Sequence, residues 1–269
     1  MAIEFGLEEI RTKNFWRAVA AEFVGMTMFL LCVSTVAIGW KEQCVNYPNG
    51  TCIIPPKGTS LKGLNVTTLD PDDGAAVNTE VSIGIGLAIA SHAQAFGHVS
   101  GGHLNPAVTL GMIVGGNIAV LKGVFYILAQ MVGAIAGSGI VYACTPTRFA
   151  EASNLGANAL QNGTSVGGGF GVEILFTFML VFFVFSVTDP RKRVEAYGQT
   201  LGIGVIIMVA HVCIIPYTNC SINPARSFGP AVVMNVWDDH WIFWIAPALG
   251  GIAAAVLYKL VFFVDEDYD

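Results

Sequence analysis

The 269-residue chain carries too few charges for a water-soluble globule. Asp, Glu, Lys and Arg make up 12% of the residues, against about 25% in ordinary soluble domains, while 54% are hydrophobic and the mean hydropathy is +0.63. The net charge of −6 comes from carboxylates crowded into a few short segments, which indicates solvated loops and ends and no nucleic-acid partner. The composition predicts an integral membrane protein in contact with lipid.

Six apolar stretches are long enough to cross about 30 Å of hydrocarbon as helices. They cover residues 16–40, 76–96, 119–144, 170–187, 197–215 and 241–264. The N-terminal segment is polar and the first apolar stretch is too long for a signal peptide, so we expect that stretch to remain as a membrane helix. The sequence predicts an all-α polytopic membrane protein with one membrane domain, residues 1–269.

The distribution of Lys and Arg predicts the orientation. Arg11 and Lys13 precede the first span, and Arg191, Lys192 and Arg193 link the fourth and fifth, so both regions are expected to be cytoplasmic. An even number of spans then returns the C-terminus to the cytoplasm. We expect a multi-pass protein of the plasma membrane with both termini inside.

The long first outer loop, about residues 41–75, carries two features of an extracellular segment. Sequons for N-glycosylation begin at Asn49 and Asn65, and a third begins at Asn162 in the next outer loop. A fourth match, at Asn219, lies against a motif described below and is discounted.

Two cysteines of the same loop, Cys44 and Cys52, are separated by seven residues. In an extracellular segment this pair predicts a disulfide. The role of the loop stays open, since it fits a glycosylated cap, a shield over a pore mouth or a surface for contact between membranes.

A short motif occurs twice, 118 positions apart, in stretches too short to span. The copies are Asn105-Pro106-Ala107 and Asn223-Pro224-Ala225. They belong to two repeats, about 15–145 and 168–264, each with three spans. Because three is odd, the second repeat enters the membrane from the opposite side, which places a substrate site near the midplane at the repeat interface.

Each motif is expected to open a half-helix, since Asn is a strong N-cap and Pro is preferred at the first helical position. The half-helices are predicted to run to about residues 115 and 234. If each Asn oxygen caps its own helix, the amide NH2 remains as a donor, and two such donors would meet in mid-membrane with both positive dipole ends. A water held there points its hydrogens outward, and Arg226 repels cations. For one copy alone, Asn-Pro would more simply be a turn signal.

With these motifs, residues 100–109 and 223–230, the sequence resembles the aquaporin family from about residue 15 to 263. The resemblance implies six helices and two half-helices, one pore in each subunit, a homotetramer, and neither catalysis nor a cofactor. Arg226, His211 and Cys220 match the constriction of the water-selective branch. Ile85 departs from it, because it stands where that branch typically has Phe. An aliphatic side chain there favours a constriction that is wider or differently shaped.

The resemblance also assigns a structural role to Glu22 and Glu173, whose carboxylates are expected to accept bonds from the reentrant loop of their own repeat. The alternative is a proton-coupled transporter that uses them directly. His92, His98 and His103 lack the Cys or carboxylate that would complete a ligand set, so no metal site is predicted.

The main functional prediction is a passive water channel that excludes protons and ions. Its alternatives are a channel that also passes glycerol, urea or hydrogen peroxide because of Ile85, and a junctional membrane protein. An enzyme is the weakest reading, because no catalytic motif rises above chance spacing.

Overall fold

Helices follow one another as two similar series. The computed structural model describes residues 4–38, 43–53, 64–68, 74–192 and 195–263. The first series comprises α1 (Lys13–Ala37), α2 (Gly74–Ser100), α3 (Pro106–Val114) and α4 (Val120–Cys144), and the second comprises α6 (Val166–Val187), α7 (Ala196–Thr218), α8 (Pro224–Met234) and α9 (Ile242–Leu257). The connection between them contains α5 (Thr147–Ser153) and a 3₁₀ turn, Asn154–Gly156. A 3₁₀ turn at Glu9–Arg11 precedes α1, and a π-helical turn, Tyr258–Phe262, extends α9.

Five of the described helices are long and apolar enough to cross a membrane: α1, α4, α6, α7 and α9 with its π-helical extension. The remaining long helix, α2, has 27 residues but carries His92, Gln94 and His98. It packs against α1 and α7 and so occupies the place of the second predicted span. The prediction of an all-α polytopic membrane protein is confirmed.

The ends of the spans differ from the sequence prediction by a few residues. Helix α6 begins at Val166 and not at residue 170, because Ser165 caps it by accepting a hydrogen bond from the Gly168 N–H at 3.1 Å. Helix α7 continues past residue 215 to Thr218 with Pro216 inside its last turn.

Glycines let the long helices approach closely at equivalent places in the two repeats. A Cβ at Gly86 would lie 2.7 Å from the Gly204 carbonyl oxygen, and a Cβ at Gly204 would lie 2.5 Å from that of Gly86, so α2 and α7 cross backbone to backbone. Helix α4 meets α1 in the same way at Gly133 and Gly137. Such contacts are typical of membrane helices, which associate by close packing because lipid supplies no hydrophobic driving force between them.

The segment between α1 and α2 contains a small antiparallel sheet that the sequence did not reveal. Its strands are β1 (Gln43–Asn46), β2 (Cys52–Ile53) and β3 (Val66–Thr68), in the order β2-β1-β3. Strands β1 and β2 form a hairpin in which Asn46 is opposite Cys52. The side chains of Cys44 and Cys52 lie outside the described residues, so their disulfide stays a prediction.

Candidate channel pore

The two half-helices start as their sequence predicts. Asn105 is extended, and its Oδ1 accepts a hydrogen bond from the Ala107 N–H at 2.8 Å. Asn223 Oδ1 accepts from the N–H groups of Ala225 and Arg226 at 3.1 and 3.3 Å. In each case proline follows at the first helical position, where its missing N–H costs nothing. The predicted caps and the ends near residues 115 and 234 are confirmed.

The amide NH2 groups of the two motifs bind across the repeats. Asn105 Nδ2 donates to the Ile222 carbonyl at 2.8 Å, and Asn223 Nδ2 donates to the Leu104 carbonyl at 2.9 Å. The sequence predicted that both NH2 groups are wholly free, and these two hydrogen bonds between the repeats were not expected. Because each NH2 carries two hydrogens, one on each side chain remains for a molecule in the cavity that both residues line.

The loops before the motifs share a special backbone. Leu104 and Ile222, 118 positions apart, have φ values of 47° and 45°. Both are fully buried, with exposures of 0% and 2%. The left-handed conformation is costly for branched side chains, so it persists only where the surroundings hold it.

Two buried carboxylates stabilise this backbone conformation, one in each repeat. Glu22 on α1 accepts hydrogen bonds from the N–H groups of His103 and Leu104 at 3.0 and 2.8 Å, and from Ser100 Oγ and Gln130 Nε2 at 2.6 and 2.7 Å. Both its oxygens are therefore engaged, which satisfies the loop's backbone donors where no water competes. This is the contact that the resemblance implies.

Glu173 on α6 has the same role in the second repeat. Its Oε1 accepts from the Ser221 N–H at 2.8 Å and Thr218 Oγ1 at 2.6 Å, and its Oε2 accepts from the Ile222 N–H at 2.7 Å. The side chain is 0% exposed. A carboxylate with both oxygens bound to fixed donors is suited to support a loop and poorly suited to relay protons.

A cavity of ≈ 200 Å³ runs between the two repeats. Most of its wall is apolar, and its polar groups are few. They comprise His103, Asn105, Asn117, Thr188, His211, Ser221, Asn223 and Arg226. A largely apolar wall with a few hydrogen-bonding groups is suited to a pore that conducts small neutral molecules.

Arg226 is held in place from one side only. Its Nη1 donates to the carbonyl of Gly156 at 2.5 Å and to Asn158 Oδ1 at 2.8 Å, and its Nη2 donates to the Asn219 carbonyl at 3.3 Å. Its Nε has no partner among the described residues. The guanidinium is thus fixed at the cavity by three of its five N–H donors, and the N–H on Nε and one on Nη2 are left over.

Asn158 is a site residue that the sequence analysis missed. It is 1% exposed, its Oδ1 accepts from Arg226 and from Ser227 Oγ, and its Nδ2 donates to the Thr218 carbonyl at 2.9 Å. It lies in the connection between the repeats, outside any motif, so no local pattern pointed to it.

His211 also lines the cavity. Its Nδ1 lies 2.8 Å from the Ile207 carbonyl oxygen, and because a carbonyl only accepts, we assign the ring hydrogen to Nδ1. Nε2 has no partner among the described residues. In the neutral ring Nε2 is an acceptor, so the cavity wall combines an acceptor on His211 with the unused N–H donors of Arg226.

The other two predicted constriction residues lie differently. Ile85 and Cys220 are 1% and 0% exposed and belong to the apolar core cluster. Neither is among the residues that line the cavity. Their part in selectivity stays a prediction.

The three histidines considered for a metal are dispersed. His92 Nδ1 lies 2.6 Å from the Ala88 carbonyl oxygen, His103 Nδ1 lies 3.1 Å from Thr109 Oγ1, and His98 is exposed at the end of α2. Within the part of the chain that the structure describes, no three His, Cys, Asp or Glu side chains are grouped to hold a metal ion.

The fold and the cavity define a multi-pass membrane channel built from two inverted repeats. Residues 9–258 match the family model described as "Major intrinsic protein". The chain belongs to this family.

Relatives support the assignment, and a solved structure shares the fold. The chain is 41% identical over 253 residues to Aquaporin FA-CHIP of Pelophylax lessonae, covering 94% of this chain and 85% of that protein. It is 39% identical over 266 residues to Aquaporin-4 of Bos taurus, covering 99% and 73%. The X-ray structure of the aquaglyceroporin from Plasmodium falciparum superposes with a TM-score of 0.73 at 19% identity, covering 92% of this chain and 96% of that one, and shows the shared fold.

Proposed function

We propose that this chain is a passive water channel that excludes protons and ions. The observation that carries the proposal is the pair of Asn105 and Asn223 in one cavity, each with its oxygen used as a helix cap and one amide hydrogen left over. The names of the relatives, aquaporins, support the same substrate.

Water crosses without a proton because of how it is held. A water oxygen that accepts from the remaining Nδ2 hydrogens of Asn105 and Asn223 has its own hydrogens directed along the pore, away from the centre on both sides. Its neighbours cannot donate to it, so a proton cannot hop through it. The two half-helix N-termini and Arg226 add positive potential, which raises the barrier for hydronium and other cations.

Selectivity among neutral molecules is proposed to reside at His211 and Arg226, with Ile85 and Cys220 completing the constriction. Water donates to His211 Nε2 and accepts from Arg226, and so replaces the bonds it loses on leaving bulk solvent. Ile85 carries no ring, which favours a second candidate function, the passage of urea, glycerol or hydrogen peroxide beside water.

The assembly and location are part of the same proposal. We infer one membrane domain, residues 1–269, in a homotetramer with one pore in each subunit, in the plasma membrane with both termini in the cytoplasm. The apolar exposed side chains of the spans, such as Leu128, Val132 and Leu175, support contact with lipid or with neighbouring subunits. Crosslinking in native membranes, read as a ladder ending at four subunits, tests the assembly.

The test of function is stopped-flow light scattering of proteoliposomes that contain the purified protein, run in parallel for water, glycerol and urea with an internal pH dye. We expect water permeability well above that of empty liposomes, with proton flux at the empty-liposome level. Glycerol or urea flux above that level would favour the second candidate function. Water flux equal to that of empty liposomes would refute the channel.

A further inference from the structure

We propose that Asn49 is the N-glycosylation site of this protein and that the sequons at Asn65, Asn162 and Asn219 remain unmodified. The proposal uses the orientation given above, which places all four on the extracellular side. The four sequences satisfy the same Asn-X-Ser/Thr rule, so sequence alone does not rank them. The structure ranks them by two features: whether another group already binds the amide nitrogen, and whether the sequon forms an exposed turn.

Asn49 lies at the tip of the β1–β2 hairpin. The Tyr47 N–H donates to the Thr51 carbonyl at 2.9 Å, and the Gly50 N–H donates to the Tyr47 carbonyl at 3.0 Å, so the tip is a closed turn. Residues 47–51 are all exposed, and a Cβ built on Gly50 has no atom within 4 Å among the described residues. A bulky group attached here extends into solvent.

The side chain of Asn49 is already turned toward its own sequon. Its Oδ1 accepts from the Thr51 N–H at 3.1 Å and from Thr51 Oγ at 2.6 Å. This Asx turn brings the amide and the hydroxyl of the sequon together. No bond among the described residues engages Asn49 Nδ2, which is the atom that a glycan joins.

Asn162 differs because its Nδ2 has a structural partner. It donates to the Pro216 carbonyl at 2.8 Å, and this carbonyl belongs to the turn of α7 in which proline interrupts the helical bonding. Asn162 also lines a cleft together with Ala157 and with Asn219, whose carbonyl accepts from Arg226. Helix α6 begins four residues after Asn162. A glycan on Asn162 would lie at the membrane surface over the pore entrance.

Asn219 is engaged more strongly. Its Nδ2 donates to the carbonyls of Gly156 and Ala157 at 3.2 and 3.0 Å, and its backbone carbonyl accepts from Arg226. Asn65 is exposed, but it precedes β3 and its carbonyl accepts from the Asn46 N–H at 2.7 Å. Extended backbone at the start of a paired strand does not form the turn seen at Asn49.

The transfer of the glycan to Asn49 requires one donor, a lipid-linked oligosaccharide diphosphate. Asn49 Nδ2 forms a bond to the anomeric carbon of the first sugar and gives up one proton. The bond from that carbon to the diphosphate oxygen breaks, and the lipid diphosphate leaves with the electron pair. Nothing is oxidised or reduced. The product is a glycan on a hairpin that projects away from the pore, which opposes close contact of this face with a second membrane.

The experiment expresses the full chain in mammalian cells and compares its mobility and intact mass with and without peptide N-glycosidase. We expect one glycan on the unaltered chain. Asn49→Gln is expected to remove the glycosidase-sensitive shift completely, whereas Asn65→Gln, Asn162→Gln and Asn219→Gln leave it. Thr51→Ala is expected to remove the shift without changing Asn49, and Thr51→Ser, which keeps the hydroxyl, is expected to retain it.

A shift that persists in Asn49→Gln, or a chain without any glycan, overturns the proposal. A short epitope inserted between residues 57 and 58, outside the sequons at Asn49 and Asn65, and labelled on intact cells separates the causes. If the loop is labelled but carries no glycan, the assignment of Asn49 is rejected and the proposed channel function is unaffected. If the loop is not labelled, the predicted orientation is rejected as well. Water flux of Asn49→Gln in the same cells is expected to stay within about twofold of the unaltered chain, since the hairpin does not line the cavity.

Discussion

In the first repeat the cavity wall contains Ala93 and Val108, whereas 118 positions further on the second repeat presents His211 and Arg226 to the same cavity. The scaffolds that carry these side chains are alike, with a capping Asn, a left-handed residue before it and a buried carboxylate beneath it in each repeat. The shared parts support the two half-helices in both repeats. Under the proposed function, the second repeat supplies the charged and hydrogen-bonding side chains of the constriction, while the first repeat contributes Ile85.

The largest effect is expected where the repeats agree. Glu22→Ala and Glu173→Ala each orphan at least three buried donors, so we expect each to lower stability by at least about 3 kcal/mol and to reduce the yield of monodisperse protein sharply. Thermal unfolding in detergent, followed by size-exclusion chromatography, measures this.

The matched control for the carboxylate variants is Thr177→Val, one turn beyond Glu173. Thr177 is equally buried, and its Oγ1 has no partner among the described residues. A near-isosteric valine is expected to unfold at the same temperature or slightly higher. If only one of the two alanine variants is destabilised, the two carboxylates do not have the same role.

The second prediction makes the repeats alike at one position of the wall. Arg226→Val gives the second repeat the residue that the first has at Val108. It removes a fixed charge from the cavity, so proton and glycerol permeability are expected to rise by about tenfold or more while water flux changes by about twofold at most. Stopped-flow scattering and an internal pH dye report the two quantities.

Val108→Leu is the control for Arg226→Val, because it alters the equivalent position without changing charge. It is expected to leave proton exclusion intact. Proton flux that stays at the empty-liposome level in Arg226→Val would show that the half-helix N-termini are sufficient, and selectivity would then belong to both repeats.

A smaller effect is expected at Ile85. Replacing it with Phe adds a rigid ring at a proposed constriction position, so we expect any urea or glycerol flux to fall by about threefold or more with water flux largely kept. Ile83→Phe is the matched control, since Ile83 is 43% exposed on the same helix and faces away from the core. Equal solute flux in both variants would remove Ile85 from the constriction.

The sequence predicted those parts of the pore that depend on neighbours in the chain. Asn and Pro at successive positions cap and start a helix by local geometry, so α3 and α8 were placed almost to the residue. The lengths of the apolar stretches likewise placed the spans to within a few residues. The support from Glu22 and Glu173 came only through resemblance, because a carboxylate on one helix and its donors on a distant loop leave no local pattern.

What the sequence did not reveal depends on contacts across the fold. Asn158 meets Arg226 across 68 positions, and Gln130 meets Glu22 across 108. Either residue alone is an ordinary amide in an apolar chain. The hydrogen bonds that Asn105 and Asn223 donate to the opposite repeat were missed for the same reason, since they require both half-helices to be in place.

The smallest effect is expected near the start of α9 in the second repeat. His240 is 6% exposed, its ring centroid lies 5.0 Å from that of Trp237 and 5.9 Å from that of Phe243, and neither ring nitrogen has a partner among the described residues. The first repeat has no such group at the start of α4, where Lys122 is partly exposed and lies 3.8 Å from Glu9. Burial lowers the pKa of His240 below its usual value, so the folded state favours the neutral ring.

Stability from the neutral His240 is therefore complete above a pH of about 6.5 and is lost as the pH falls below it toward the lowered pKa. We expect the contribution of His240 to lower the unfolding temperature by about 2 to 4 °C between pH 7.5 and 5.5. His240→Phe should abolish that part of the drop, whereas His98→Gln, which removes an exposed histidine from the first repeat, should retain it. An identical pH dependence in all three proteins would mean that the folded state accepts a proton on His240 without a loss of stability. His240 would then be as well solvated as the exposed His98.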